Sequence, residues 1–297
     1  SMLSKADLVT GIVREFPELQ GYMGMVYAKN SGEDKEVASA IYEHYMPRFS
    51  GDSLPSSENS AIISLADKID NIASFFLLGL IPTGSEDPFA LKRQAMGIIN
   101  ILQNKDYPFS IDTMIDKALE GIESHASTRN QLRAKILKFF EQRFEGILSE
   151  EGYRYDLINA VLILENQTLK DIKNRIKILT AMTETYAFPE LLTAAKRVYN
   201  ILSNIKTGEV KKDILTEPSE KELYDAVLAA EKRLIKTNFN VLFELTDPIN
   251  LFFNNVLVMD KNPEVKANRL ALLSSVKKLF DSLGDFSKVV HTAESKS

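Results

Sequence analysis

A stretch rich in basic residues, from Asn166 to Lys212, has the residue types and spacing that most clearly suggest a chemistry. It carries nine basic residues against four acidic ones, whereas the whole chain has a net charge of −5. The nine are Lys170, Lys173, Arg175, Lys177, Lys196, Arg197, Lys206, Lys211 and Lys212. Such a local excess of positive charge can hold a phosphate backbone even on an acidic protein. A solvated helix face is the alternative, which charge taken alone favours.

The residue types that several catalytic centres require are missing from the sequence. There is no cysteine, which excludes disulfides, thiolate nucleophiles and zinc sites built on thiolates. Three histidines are too few for a histidine-rich metal centre. No nucleophile elbow, glycine-rich phosphate loop with lysine or His-Glu-x-x-His helix occurs. No apolar run reaches the roughly 20 residues that cross a bilayer, so we expect no membrane association and a cytoplasmic location.

The elements that must position the functional residues are predicted to be helices throughout. Apolar side chains recur at steps of three and four residues in three long stripes. The stripes are Leu132, Ile136, Phe139, Phe140 and Phe144; Leu223, Val227, Leu228, Ala230 and Leu234; and Leu270, Leu273, Val276, Leu279 and Phe280. No alternating strand pattern and no Asn-Gly or Asp-Gly hairpin is found. The sequence therefore predicts an all-α fold.

Helix-breaking residues predict where the helices end. Loops rich in Ser, Pro and Gly are expected at 47–59 and 79–88, a seam between domains at 104–109, and a linker at 204–220. Asp87 is predicted to cap the helix that follows the second loop, with Pro88 in its first turn.

The segment that continues from the second loop into the next helix, from Pro82 to Arg93, also suggests a chemistry. Hydroxyl groups of Thr83 and Ser85, a flexible glycine and a helix start could together bind an anion. The alternative is a rigid connection that docks one helix on another, and the physics alone favours it.

The first hundred residues are similar to a helical HD domain, whose active members hold a water-activating metal with His and Asp side chains. The paired position is Ala6-Asp7 here, a middle histidine corresponds to His44, and the distal aspartate to Asp67. The methyl group of Ala6 has no lone pair, so the metal set is degenerate. We expect Asp67 in a cap or ion pair and His44 as a structural residue beside Tyr45. The alternative is a metal-dependent phosphohydrolase that uses Asp7, His44 and Asp67.

Longer strings run in order from about residue 5 to residue 290. They are Glu15-Phe-Pro-Glu-Leu-Gln-Gly21, Met23-Gly24, Glu43-His-Tyr-Met-Pro47, Ala66-Asp-Lys-Ile-Asp70, the loop 79–93, Arg143-Phe144, Gly152-Tyr153, Ala195-Lys-Arg-Val198, Asn200-Ile-Leu202, Phe252 to Met259, Asn268-Arg-Leu-Ala-Leu-Leu273 and Asp285-Phe-Ser-Lys288. Together they resemble the beta subunit of bacterial glycyl-tRNA synthetase. The first string and the loop are long and rarely coincidental, so the resemblance is specific.

The resemblance implies that the chain corresponds to the last two-fifths of a large subunit that binds tRNA. In that family the aminoacylation site, with its ATP and Mg requirement, lies in a separate alpha subunit. The resemblance therefore implies no catalytic centre and no cofactor in this chain. The implied partners are glycine tRNA and the alpha subunit, in an alpha2-beta2 tetramer. The final hundred residues resemble the helical anticodon-binding domain shared with arginyl-tRNA synthetase.

The signature of that anticodon-binding domain ends in Ala-Leu-Arg-x-Asn-Arg-Leu, which corresponds to Glu264-Val-Lys-Ala-Asn-Arg-Leu270 here. Lys266 replaces an arginine, which keeps the positive charge and loses the bidentate fork. A phosphate contact survives that change more easily than recognition of a base edge. Asn268 and Arg269 are candidates for RNA contact, with buried links between helices as an equal alternative.

A second group of RNA-binding candidates lies in the basic stretch. On a helix, Lys196, Asn200 and Asn204 share one face at four-residue spacing, with Arg197 beside them. Cations can hold phosphates, and amides can pair with the edges of unstacked loop bases. We predict that this face contacts RNA, with a role in fastening helices as the alternative. Four phenylalanines are expected to pack in the core rather than stack on bases, namely Phe239, Phe243, Phe252 and Phe253.

These observations together predict two all-α modules. Residues 1–105 form an HD-like domain truncated at its amino terminus, residues 106–180 a helical connection, and residues 181–297 an anticodon-binding bundle. The bundle is expected to hold the anticodon arm of glycine tRNA, so that the acceptor end reaches the alpha subunit for ATP-dependent glycylation. A helical interaction scaffold without RNA affinity is the remaining alternative.

Overall fold

The chain is helical in a computed structural model that describes residues 2–83, 86–121, 126–163, 166–202, 205, 207–234 and 238–291. Among these residues there are thirteen α-helices, five short 3₁₀ helices and no strand. The predicted all-α fold is therefore confirmed. No helix in the described ranges is both long enough and apolar enough to span a membrane.

The described elements are α-helices and 3₁₀ helices joined by turns and loops. The α-helices are α1 (Gly11–Glu15), α2 (Tyr22–Asn30), α3 (Lys35–Glu43), α4 (Glu58–Leu77), α5 (Leu91–Asn104), α6 (Ile111–Glu120), α7 (Ala126–Glu150), α8 (Tyr155–Leu162), α9 (Leu169–Thr183), α10 (Phe188–Ile201), α11 (Pro218–Arg233), α12 (Thr246–Asn255) and α13 (Pro263–Asp281). The 3₁₀ helices are Ala6–Val9, Pro17–Leu19, Lys212–Ile214, Phe239–Leu245 and Phe286–Lys288.

Contacts divide the chain into two compact units. Unit 1 comprises Ser1–Gly146 and Asn166–Lys170, and unit 2 comprises Ile147–Glu165 and Asp171–Ser297. The helices α7 and α9 therefore each have residues in both units. The domain limits predicted at residues 105 and 180 refer to family domains and not to units defined by contacts. They therefore stay predictions.

Helix α4 organises unit 1 because it is long, well capped and apolar along one side. The hydroxyl of Ser57 accepts a hydrogen bond from the amide of Ser60 at 3.1 Å, which satisfies one free donor at the helix start. Its buried residues Leu65, Ile69, Ile72 and Phe76 recur at four- and three-residue steps, and α4 packs against α3, α5 and α6. Burying each such side chain stabilises the fold by about 1.5–3 kcal/mol.

The start of α5 differs from the prediction. The helix begins at Leu91, three residues after Pro88, because Ala90 has a φ of 57° in the left-handed region and cannot continue a right-handed helix. Asp87 still contributes to the helix start, since its carboxylate accepts a hydrogen bond from the amide of Lys92 at 3.0 Å. The prediction that Pro88 lies in the first turn is therefore wrong.

Unit 2 contains a helical bundle in which α10, α11 and α12 pack against the 3₁₀ helix Phe239–Leu245, and α13 packs against α10 and α11. Helix α11 begins with a capping box, in which the side chains of Glu217 and Glu220 satisfy each other's backbone amides. Phe239 and Phe252 are buried as expected for core residues, whereas Phe243 and Phe253 are only partly buried.

Candidate nucleic-acid interface

Helix α10 positions the predicted RNA-binding face of unit 2. Its apolar side is buried in the bundle through Leu191, Leu192, Ala194, Ala195 and Val198. On the opposite side of the helix, Asn200 is exposed, and Lys196 and Arg197 are partly exposed. The fourth predicted residue, Asn204, lies outside the described residues.

Tyr199 fixes α10 against α13. Its hydroxyl donates a hydrogen bond to the Asp281 carboxylate at 2.6 Å, and the Lys277 ammonium lies 4.7 Å from the centre of its ring. Burial and the Asp281 carboxylate both raise the pKa of Tyr199, so the hydroxyl remains a donor. The neighbouring Lys196, Arg197 and Asn200 are therefore presented from a helix that is held in place.

Arg197 lies against an aromatic ring of α12. Its guanidinium carbon is 4.4 Å from the centre of the Phe253 ring, and Nη1 donates to the side-chain oxygen of Asn250 at 3.4 Å. Among the described residues, no carboxylate lies within ion-pair distance of Arg197. The stacked arrangement restricts the side chain and leaves its positive charge for a ligand.

Phe253 is a functional candidate that the sequence did not reveal, because it was expected in the core. The adjacent pair Phe252 and Phe253 could have indicated this exposure. Consecutive residues of a helix point about 100° apart, so the two rings face different directions. Phe252 is fully buried, and Phe253 is partly exposed beside Arg197. The exposed amides of Asn254 and Asn255 extend the same end of α12.

Lys266 is exposed on the first part of α13. It takes part in no ion pair within the described portion of the chain, although the nearby Glu264 pairs with Lys211 at 3.1 Å. Its ammonium is therefore accessible to a phosphate group.

Asn268 is buried and bonded to the backbone of another segment. Its side-chain oxygen accepts from the Lys211 amide at 2.7 Å, and its side-chain nitrogen donates to the Lys211 carbonyl at 3.0 Å. The amide group thereby fastens the segment before α11 to α13. The sequence left open whether Asn268 contacts RNA or links parts of the bundle. These hydrogen bonds correspond to the link.

Arg269 is 5 % exposed and makes a buried ion pair with Glu220, which is 1 % exposed. Its Nη1 atom donates to the Leu257 carbonyl at 2.9 Å and to the Asp260 carboxylate at 2.8 Å. Glu220 in turn accepts from the amides of Thr216 at 2.6 Å and Glu217 at 2.9 Å. Arg269 therefore links the starts of α11 and α13 to the loop before α13.

Part of the positive charge of the basic stretch is neutralised by acids from elsewhere in the chain. Lys170 pairs with Asp106 at 2.5 Å, and Lys173 pairs with Glu151 at 2.5 Å. Lys211 pairs with Glu264, as noted above. Lys206 lies outside the described residues. Among the described residues, the basic side chains of the stretch that form no ion pair are the exposed Lys177 and Lys212 and the partly exposed, adjacent Lys196 and Arg197.

The residues at the predicted HD positions of unit 1 take part in separate contacts. Ala6 is exposed, while Asp7 is buried and accepts a hydrogen bond from the Gly21 amide at 2.6 Å. Asp67 pairs with Lys5 at 2.5 Å, as expected for an ion-paired residue. Within the described ranges, no group of three or more His, Asp and Glu side chains could hold a metal ion. The phosphohydrolase hypothesis thus finds no supporting geometry.

His44 lies beside Tyr45, as predicted, with their ring centres 3.8 Å apart. Its Nδ1 atom is 2.8 Å from the Ile41 carbonyl, whereas Nε2 is buried and has no hydrogen-bond partner among the described residues. Burial lowers the pKa of His44, so the ring is neutral at neutral pH.

Comparison with known proteins finds two family models that match successive parts of the chain. Residues 1–163 match the family model for the glycyl-tRNA synthetase beta subunit, and residues 191–286 match the model for the DALR anticodon binding domain. The glycine–tRNA ligase beta subunit of Syntrophus aciditrophicus is 38% identical over 299 residues, covering 98% of this chain. Its counterparts in Desulforamulus reducens and Thermodesulfovibrio yellowstonii are each 40% identical, covering 98% and 96% of this chain.

The chain is shorter than these relatives. It spans 43% of the length of the Syntrophus and Desulforamulus proteins and 42% of the Thermodesulfovibrio protein. The first family model covers more than half of the chain, and the similarity to the curated relatives extends over nearly all of it. The chain therefore belongs to the glycyl-tRNA synthetase beta subunit family.

Proposed function

We propose that this chain is the tRNA-binding part of a glycine–tRNA ligase beta subunit, and that unit 2 holds the anticodon arm of glycine tRNA. The contact surface is formed by Lys196, Arg197 and Asn200 of α10 with Phe253 of α12, and Lys266 adds a phosphate contact. The observation that carries the proposal is the Arg197 guanidinium stacked on Phe253 with its charge unmatched by a carboxylate among the described residues. The match to an anticodon-binding family over 191–286 supports the same location.

Each side chain of this surface has a role that its chemistry supports. Lys196 and Lys266 hold backbone phosphates as point charges, and Arg197 can bind a phosphate or a base through its free edge. The Asn200 amide can pair with the edge of a base that leaves the stack. Asn268 and Arg269 support this surface without contacting the RNA, because their hydrogen-bond donors are bonded to acceptors within the bundle.

The wider assembly belongs to the same proposal. The alpha subunit carries out glycylation with ATP and Mg, in an alpha2-beta2 tetramer, and this chain contributes recognition rather than catalysis. Cytoplasmic localisation stays a prediction from composition.

Binding of this chain to glycine tRNA transcripts tests the proposal. Fluorescence anisotropy with the wild-type anticodon should give saturable binding, and transcripts with altered anticodon bases should bind more weakly. Arg197→Gln removes a charge-assisted contact and should weaken binding about ten-fold. Arg233→Gln is the matched control, since this exposed arginine of the same unit pairs with Glu244 at the surface, and it should bind like the wild type.

The outcomes separate the proposal from the scaffold alternative. Equal and weak binding of all transcripts, unchanged in Arg197→Gln, would contradict anticodon recognition by this surface. Loss of binding in Arg197→Gln with equal binding of all anticodons would reduce the proposal to a phosphate contact.

A further inference from the structure

The segment that joins α12 to α13 presents apolar side chains to solvent. Leu257 is 69% exposed and Met259 is 44% exposed, whereas Val256 and Val258 are 7% and 5% exposed. Inward and outward side chains therefore alternate along this segment, as they do along an extended chain. A single exposed leucine is common on protein surfaces. Here the outward side chains belong to a segment that is fixed on its inner side.

The backbone of Leu257 is held from within the bundle. The buried side chains of Val256 and Val258 anchor it on both sides. The Nη1 atom of Arg269 donates a hydrogen bond to the Leu257 carbonyl at 2.9 Å. These contacts place the exposed side chain in one position before any ligand arrives.

The rest of the segment is also fixed, up to the start of α13. The Asp260 carboxylate accepts hydrogen bonds from Arg269 at 2.8 Å and from the Asn262 amide at 2.8 Å. The Asn262 side chain in turn caps α13, because its oxygen accepts from the Glu264 amide at 2.9 Å. A ligand that contacts Leu257 therefore does not have to order a loop, which lowers the entropic cost of binding.

Leu257 lies close to the RNA-binding surface proposed for unit 2. It follows Phe253 by four residues, so their Cα atoms are at most about 15 Å apart. The Phe253 ring carries the stacked guanidinium of Arg197. The side chains of Asn254 and Asn255, which lie between them in the sequence, are exposed. A stacked cation, two amides and a fixed apolar side chain therefore occur together at the end of α12.

This combination suits a nucleotide base better than a second protein. A base has apolar faces and polar edges, so it can pack on an apolar side chain while amides pair with its edge. A typical protein interface covers about 800 Å² on each partner and is centred on buried apolar anchors. Leu257 and Met259 are instead bordered by the exposed polar residues Asn255 and Lys261.

We propose that Leu257, with Met259 beside it, packs against the face of a base that the anticodon loop turns out of its stack. The inference rests on the proposed function, and it adds a base contact to a surface that otherwise holds phosphates and base edges. Contact with a base face is available to every base, so Leu257 contributes affinity for an unstacked loop rather than for one sequence.

Replacing Leu257 with serine tests this contact. Fluorescence anisotropy with a glycine tRNA transcript should show binding weakened about five-fold, because apolar area on the base is no longer covered. The dependence of binding on salt concentration should stay as in the wild type, since no charge is removed. Leu78→Ser is the matched control, because it replaces a leucine of unit 1 that is 71% exposed, and it should bind like the wild type.

A double-mutant cycle identifies the base. Transcripts that carry an abasic nucleotide at one position of the anticodon loop at a time are titrated with the wild type and with Leu257→Ser. At the position that Leu257 contacts, the abasic transcript and the substitution should together weaken binding no more than either does alone. Losses that add at every position of the loop would overturn the inference.

The outcomes separate this inference from the proposed function. If Arg197→Gln weakens binding and Leu257→Ser does not, the base contact is overturned and anticodon recognition by unit 2 stands. If neither weakens binding, both fail. In the complete beta subunit, weaker association with the alpha subunit in Leu257→Ser at unchanged RNA affinity would assign the side chain to a protein interface and overturn the inference.

Discussion

Arg197 and Arg269 are the same residue type in opposite surroundings, and the difference gives them different roles. Arg197 is partly exposed, stacked on a ring and free of carboxylates in the described residues. Arg269 is buried between Glu220 and Asp260. Removing the first should affect a ligand, whereas removing the second leaves a buried carboxylate without its partner.

Replacing Arg269 with lysine should therefore lower the stability of the fold. Lysine keeps the charge but cannot reach Glu220, Asp260 and the Leu257 carbonyl together, because it lacks the planar fork. We expect the free energy of unfolding in urea to fall by about 3 kcal/mol. RNA affinity measured on the folded protein should stay within two-fold (roughly 0.4 kcal/mol). A large loss of affinity at unchanged stability would instead make Arg269 an RNA contact.

Lys68 makes the stability of the protein depend on pH. Burial lowers the pKa of Lys68 from its ordinary value of 10.5 to about 8. Between these two values the unfolded chain holds a proton that the folded chain has lost, so stability rises with pH in this window. Below pH 8 (roughly the folded pKa) the cost of the buried charge is fully present.

Urea unfolding at several pH values measures this effect. Relative to Lys68→Met, the wild type should gain about 2 kcal/mol between roughly pH 7 and pH 9.5. Lys29→Met, which replaces an exposed lysine of unit 1, should follow the wild-type profile. Parallel profiles for wild type and Lys68→Met would show that the lysine titrates normally.

At the scale of the element, two helical glycines have opposite surroundings. An added Cβ at Gly146 of α7 would meet nothing within 4 Å, whereas one at Gly24 of α2 would lie 2.6 Å from a methyl group of Ile41. Gly146→Ala should raise the free energy of unfolding by about 0.5–1 kcal/mol, through the higher helix propensity of alanine. Gly24→Ala should lower it by about 1–3 kcal/mol through overpacking. Thermal unfolding of both variants checks the pair, and changes of the same sign would contradict it.

The helices could be predicted from the sequence because their apolar spacing is regular. The three stripes named in the sequence do lie in helices, except that Leu234 follows the last residue of α11. The start of α5 could not, because the left-handed conformation of Ala90 has no signal in an alanine. The burial of Lys68 could not be predicted from the sequence either. Its ammonium is held mainly by the main-chain carbonyls of residues 44 and 46, which any residue type would supply.

The candidate site could be predicted in part for a similar reason. The spacing of Lys196 and Asn200 placed them on one helix face, because that relation is local. The role of Phe253 depends on α12 packing against α10, which is a tertiary contact. The sequence left two alternatives for Asn268 and Arg269, because burial distinguishes them and spacing does not.

At the scale of the whole molecule, the chain is acidic and its proposed RNA contacts are few. With Lys196, Arg197 and Lys266 on phosphates, the logarithm of the association constant should fall against the logarithm of salt concentration with a slope of about −2. Fluorescence anisotropy at several salt concentrations measures the slope. Lys266→Gln should reduce its magnitude by about 0.7. A slope near zero would show that phosphate contacts do not drive binding, and one far steeper would require cations beyond these three.

The link between Glu220 and Arg269 has a consequence for how the family varies over evolutionary time. Replacing Arg269 alone leaves the buried Glu220 carboxylate without its counter-charge, and replacing Glu220 alone leaves Arg269 with Asp260 as its remaining ion-pair partner. Each single change should therefore lower stability. A lineage can lose the pair in two ways: through a double replacement, or through a prior change that opens the site to water. Aligned beta subunits should therefore show correlated substitution at these two positions, with relatives that lack an arginine at position 269 also lacking an acid at position 220.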